Sequence, residues 1–161
     1  MASHPGYAGK ILRADLTSGK FSSENVPGPE ELRKWVGGTG LAAKILYDEV
    51  PPGVGPYDPE NRLIFASGPL GGTNMGGTGT FSVVSKGPMT NGSLSSQANG
   101  FLGAYLKFAG FDALVVQGAA DRPVYLYIHD GEAELRDADA LKGKDTWEMV
   151  DLIAAELVVP E

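Results

Sequence analysis

The chain has 161 residues, 13 Lys and Arg against 20 Asp and Glu, a net charge of −7 and no cysteine. That length allows one domain with a real core. The negative balance argues against nucleic acid as the main partner, and without thiols the chain by itself holds no iron–sulfur cluster, zinc-thiolate site or disulfide.

The stretch Gly9–Val26 alternates and turns at Thr17-Ser18-Gly19, the pattern of a hairpin. A short helix is predicted over "PGPEELRKWVGG", with Pro29 in its first turn and Gly37 as its stop. A second follows over "TGLAAKILYDEV", with Thr39 as N-cap and Pro51-Pro52 as its end. Beyond a Pro/Gly-rich loop at 51–61, "RLIFAS" and "TFSVVSK" read as strands, flanked by two loops, Gly68–Gly79 and Ser93–Gly100. A helix over 101–109 ends at Gly110. Tyr105, Phe108 and Phe111 have the spacing of core residues. "DALVVQG", "PVYLYIHD" and "EAELRDA" are strands, the last two joined by an Asp130-Gly131 turn. Asp145 and Glu148 form a capping box before a helix ending at Leu157. Helices interspersed with hairpin-joined strands predict an α+β fold with a mixed, largely antiparallel sheet, as one domain over 1–161.

Side-chain chemistry is sparse. "GTGLAA" matches a dinucleotide fingerprint, but a helix precedes it where a strand is required. His4 and His129 lie far apart, so a histidine metal site is not expected, and Asn91-Gly92-Ser93 is a sequon by pattern only. Lys86, Lys107, Asp112 and Glu60 are charged groups of the kind used in catalysis, and their settings read as solvated surface. No triad or carboxylate pair is visible. No apolar run reaches the ~18 residues of a membrane span, no secretory leader is evident, and the cytoplasm is the expected compartment.

The glycine-rich stretch 67–103 has ten glycines and no acidic residue. Two readings stand: a set of tight turns, or a backbone cradle for a bulky ligand. The blocks "PENRLIFASGPL", Lys86-x-Pro88-x-Thr90 and "LKFAGFDALVVQG" followed by "PVYLYI" resemble, in one colinear order, the N-terminal domain of the tungsten-containing aldehyde ferredoxin oxidoreductase family. The resemblance implies an incomplete N-terminal domain against which a tungsten (or molybdenum) bis-pterin cofactor lies, its metal held by pterin sulfurs. It implies cofactor contacts at Gly76, Gly77, Thr80, Gln97, Ala98, Asn99 and Gly100, with Gln97 and Asn99 offering oxygen to a magnesium ion bridging the pterin phosphates. It also implies a [4Fe-4S] cluster in other parts of the enzyme, oxidation of an aldehyde to a carboxylate, ferredoxin as acceptor, and the remaining domains or a partner subunit; a homo-oligomer is a further expectation. Thr80 stands where the family often has a phosphate-facing Arg, and Gln97 to Gly100 replace a typical Asn-x-Gly-Gly. The alternative is a non-catalytic scaffold or assembly module that has lost the cofactor.

Overall fold

The structure, a computed structural model, describes residues 5–157. His4 and the terminal residues from Val158 lie outside them. Strands β1 (Lys10–Asp15) and β2 (Lys20–Asn25) form the first hairpin, followed by α1 (Pro29–Trp35) and α2 (Gly38–Glu49). Then come β3 (Leu63–Ser67), β4 (Phe81–Lys86), β5 (Ser93–Ala98), α3 (Leu102–Phe108) and β6 (Ala113–Gln117). The hairpin of β7 (Val124–His129) and β8 (Glu132–Asp137), a 3₁₀ turn and α4 (Thr146–Leu157) complete the described chain.

Six strands form one sheet in the order β2-β1-β6-β3-β4-β5. All its pairings are antiparallel except β1 with β6, so the fold is α+β with a mixed, mostly antiparallel sheet. Alternation divides the core between the two faces. Ile11, Ile64, Ala66, Val84, Ala113 and Val115 pack against Leu41, Ala42 and Ile45 of α2. Leu12, Ala14, Leu114 and Val116 face the other way, toward Leu106 of α3, Ala109 and Phe111 just after it, and Leu126 and Ile128 of the β7–β8 hairpin. The central strand β6 is buried on both sides, which is why it reads as an unbroken apolar run.

Three expectations are corrected. Ser93–Gly100 is not a loop: Ser93–Ala98 is an edge strand paired along its length with β4. Cross-strand pairing across the Gly87–Gly92 turn overrides the weak strand preference of a serine-rich segment. Tyr105 and Phe108 are 62% and 66% exposed, whereas Phe111 is buried at 1%. The inward stripe of α3 is Gly103, Ala104 and Leu106, so the aromatic spacing tracks its outer side, where Phe101, Tyr105 and Phe108 stack. Lys107 and Asp112 are not solvated; they form a buried ion pair, their side chains 8% and 2% exposed.

Candidate functional site

The site lies where the ends of β3, β4 and β5 meet the amino end of α2. In the antiparallel register Ser82 faces Gln97, and Ala66 of the neighbouring β3 also pairs with Ser82. Ala66 and Val84 belong to the α2-facing core, so alternation puts Ser82 and its partner Gln97 on that same face, with Thr80 and Asn99 just beyond the strand ends. The polar groups there form two hydrogen-bonded sets, a ladder of Gln97, Thr39 and Ser82 and a cluster of Thr80, Asn99 and the Gly77 carbonyl. Gln97 Nε2 donates to Thr39 Oγ1 at 3.2 Å, and Thr39 Oγ1 and Ser82 Oγ are 2.7 Å apart. Thr80 Oγ1 donates to Asn99 Oδ1 and lies 3.4 Å from the Gly77 carbonyl oxygen.

Thr39 is therefore not an N-cap. Gly37 holds that position, without a side-chain cap, and no acidic residue lies in the first turn of α2. The run Gly37-Gly38-Thr39-Gly40 is small because α2 starts against other backbone. A Cβ on Gly37 would come within 3.0 Å of the Ser67 carbonyl oxygen, and one on Gly40 within 2.3 Å of that of Trp35. The fingerprint-like "GTGLAA" is a close helix start after another helix, in agreement with its rejection as a dinucleotide site.

The glycine segments divide by what they require. Gly79 lies so close to Gly100 that a Cβ would be 2.1 Å from its carbonyl oxygen, and this contact joins the two segments. Gly71 has Ser67 Oγ at 2.1 Å from its Cβ position, and Gly72, at φ 74, has the Phe108 ring at 2.9 Å. Ser67 Oγ is itself buried without a hydrogen-bond partner. Gly76, Gly77 and Gly100 differ: a Cβ on any of them would meet nothing within 4 Å. Gly77 and Gly100 have φ of 80° and 143°, where glycine is favoured, but Gly76 has no positive φ. Among the described residues nothing demands glycine at 76.

Of the predicted site residues, Gln97 bonds Thr39, and Thr80 separately bonds Asn99 and approaches the Gly77 carbonyl. Gly76 lies beside Gly77 in the loop, and Gly100 connects through Gly79. Ala98 pairs with Phe81, which puts its side chain on the opposite face. Asn99 does not cap α3, whose N-cap is Phe101 with no side-chain bond. Sequence reasoning missed Thr39 and Ser82. Their only signal was hydroxyls at sheet-facing positions, legible once register was known. Lys86 and Glu60 lie away from the ladder: Lys86 Nζ donates to the Val54 carbonyl, and Glu60 supplies a carbonyl to Arg62. The array consists of amides, hydroxyls and backbone, which suits a neutral or hydrogen-bonding surface more than acid–base chemistry.

The chain is thus an α+β unit with a mixed, mostly antiparallel sheet, one end of which is neutral and lined by glycines. Residues 11–160 match the family model for the aldehyde ferredoxin oxidoreductase N-terminal domain. The chain belongs to that family. It is 47% identical, over 86% of its length, to a tungsten-containing aldehyde ferredoxin oxidoreductase of Pyrococcus abyssi, covering 23% of that protein. Against the WOR-like subunit of an aliphatic sulfonate oxidoreductase of Pyrococcus furiosus it is 37% identical over 94% of its length, covering 24% of that protein. The solved active-site complex BamBC of benzoyl coenzyme A reductase, in complex with 1,5-dienoyl-CoA, superimposes with a TM-score of 0.93 at 39% identity, over 99% of this chain and 24% of that one. The chain thus spans about a quarter of the length of these relatives, which are oxidoreductases by name.

Proposed function

We propose that this chain is the part of a tungsten (or molybdenum) bis-pterin oxidoreductase against which the cofactor lies. The observation that carries the reading is the convergence, at one sheet end, of a neutral amide–hydroxyl ladder with glycines whose outer sides are open. A flat ligand can approach the main chain at Gly76, Gly77 and Gly100 without meeting a side chain. Gln97 uses only its Nε2 in the ladder, so its carbonyl oxygen is available to a hard cation such as magnesium. Asn99 Oδ1 accepts one bond from Thr80 and retains a second lone pair. When bound, the cofactor supplies the two-electron chemistry, by family resemblance aldehyde plus water to carboxylate. The chain's own residues orient the cofactor and offer it hydrogen bonds. In this reading the [4Fe-4S] cluster, the cover over the cofactor and the ferredoxin contact belong to other domains or a partner subunit, and the enzyme works in the cytoplasm. Among the described residues no helix is long and apolar enough to cross a membrane.

A scaffold that has lost the cofactor is the second reading, favoured by one observation: Thr80 spends its hydroxyl on Asn99 where a cationic side chain would meet a phosphate. Elemental analysis of protein purified anaerobically from its native host separates the two. Tungsten or molybdenum near one atom per chain is expected; a well-folded native sample without either metal establishes the scaffold reading instead. Gly76→Val then tests the cradle itself. Its Cβ enters open space at a position without a positive φ, so circular dichroism should stay unchanged while metal per folded protein falls.

A further inference from the structure

Lys107 and Asp112 form the most deeply buried ion pair among the described residues, and the ladder does not use it. A buried pair needs a geometry in which most of its hydrogen-bonding capacity is satisfied. Here the partners come from the segment Gly6–Gly9, which crosses the end of the sheet. Asp112 Oδ1 accepts from Lys107 Nζ at 2.8 Å and from the Ala8 N–H at 3.1 Å, and Oδ2 accepts from the Gly9 N–H at 2.7 Å. Lys107 Nζ also donates to the Gly6 carbonyl and lies 5.6 Å from the centre of the Tyr7 ring. The ion pair thus holds all four residues of this strap.

The strap in turn touches both walls of the cradle. A Cβ on Gly6 would sit 2.8 Å from the Pro69 carbonyl oxygen, so the strap lies against the root of the glycine loop. Tyr7 Oη donates to the Val36 carbonyl at 2.5 Å, and burial followed by the Asp112 charge raises its pKa. Val36 has a φ of 58°, a conformation that a β-branched residue adopts only when its surroundings impose it. The next residue, Gly37, packs on the Ser67 carbonyl and Gly68 Cα and starts α2.

We propose that the Lys107–Asp112 pair is a positioning device: through the strap Gly6–Gly9 it fixes the glycine loop and the amino end of α2 relative to each other. Its purpose, holding the cradle open at a set width, rests on the cofactor reading; its geometry does not. Lys107 and Asp112 are positioning residues, with no side-chain hydrogen bond to the ladder and without a part in any reaction step.

Amide hydrogen exchange on the chain tests this without any cofactor. Lys107→Met leaves the Asp112 carboxylate buried with only two N–H donors. Deleting residues 1–7 removes the strap's contacts with Pro69 and Val36 and takes no side chain from either core cluster. In both variants segments 36–41 and 67–73 should exchange about tenfold faster or more, while 11–15 and 113–117 change less than about twofold. Lys107→Arg, which keeps the charge, should recover most of the protection at both segments. Unchanged exchange at 36–41 and 67–73 in the deletion variant overturns the proposal, and so does an equal increase across all segments, which marks a merely structural pair. If Lys107→Met does not fold, the deletion decides alone. The cradle fails separately: a Gly76→Val protein that loads metal normally removes the ligand and leaves the clamp standing.

Discussion

At the residue scale, glycines of identical composition have opposite roles. Gly79 is required by the chain itself, since a methyl group there would collide with the Gly100 carbonyl at 2.1 Å. Gly79→Ala should therefore destabilise the protein by about 1–3 kcal/mol in urea unfolding, because the obstacle is backbone rather than a movable side chain. Gly76→Ala has open space and no positive φ, so it should be neutral or stabilise by up to about 1 kcal/mol through the unfolded chain. Equal costs at the two positions would contradict this division. Gly100→Val is a poorer probe of the cradle than its open surroundings suggest, because its φ of 143° strains valine whether or not a ligand is bound.

At the element scale, the network around Glu49 ties α2 to the sheet and to the loop before β3. Arg13 on β1 grips Glu49 with both nitrogens, at 2.7 and 2.6 Å, and reaches Glu24 on β2, while Arg62 Nε donates to Glu49 at 3.1 Å. Desolvation alone would raise the Glu49 pKa, but the bonds and charges of Arg13, then Arg62, outweigh it and hold the pKa below the ordinary carboxylate value. A depressed folded-state pKa means stability present above the unfolded value of about 4.3 and lost as pH falls through the folded value. The stability gap between wild type and Glu49→Gln should be constant from about pH 7 to 5 and shrink below about pH 4. A gap that widens on acidification would reverse the assignment.

Helix α4 behaves differently because it has no buried residue. Its amino end is held by Asp145 Oδ1, which accepts from the N–H groups of Trp147 and Glu148 at 2.9 Å, while Glu148 accepts from Asp145 N–H at 3.2 Å. Asp145→Ala should cost this helix about 1 kcal/mol. With so little packing the loss should stay local: amides 147–150 exchange roughly fivefold faster and the global unfolding midpoint holds. A fall in the midpoint would show α4 to be coupled to the core.

At the scale of the whole molecule, many large apolar groups lie on the outside, on α3, α4 and the loops among other places. Phe101, Tyr105 and Phe108 stack along the outer side of α3, near the exposed Leu70 and Met75 of the glycine loop, and Trp147 and Val150 are exposed on α4. In relatives about four times longer, more chain is available to cover such surfaces. The isolated chain should therefore self-associate at ~100 μM in sedimentation and bind an apolar dye, whereas a dye-silent monomer would contradict it. It should not oxidise aldehydes with a viologen acceptor, having no cysteine for a cluster; turnover above an apo control would overturn that.

How much was legible follows from which interactions are local. The β1–β2 and β7–β8 hairpins, the Pro29 start of α1 and the Asp145–Glu148 box were readable because their determinants lie within a few residues: turn glycines, a fixed proline φ, a cap three residues from its partner. Colinear blocks also carried the family, since many positions agreeing in one order outweigh any single motif. The sequence by itself thus determined the α+β class, most elements and the family. Only the tertiary structure decided that Ser93–Ala98 is a strand, that Thr39 and Ser82 join Gln97 in one ladder, and that Lys107 and Asp112 are buried together. Each of these depends on partners brought close by sheet register or chain crossing. Thr39 and Gln97 are 58 positions apart, and Gly9 and Asp112 are 103 apart. No local propensity encodes such pairings; packing of the two sheet faces against α2 and α3 selects them.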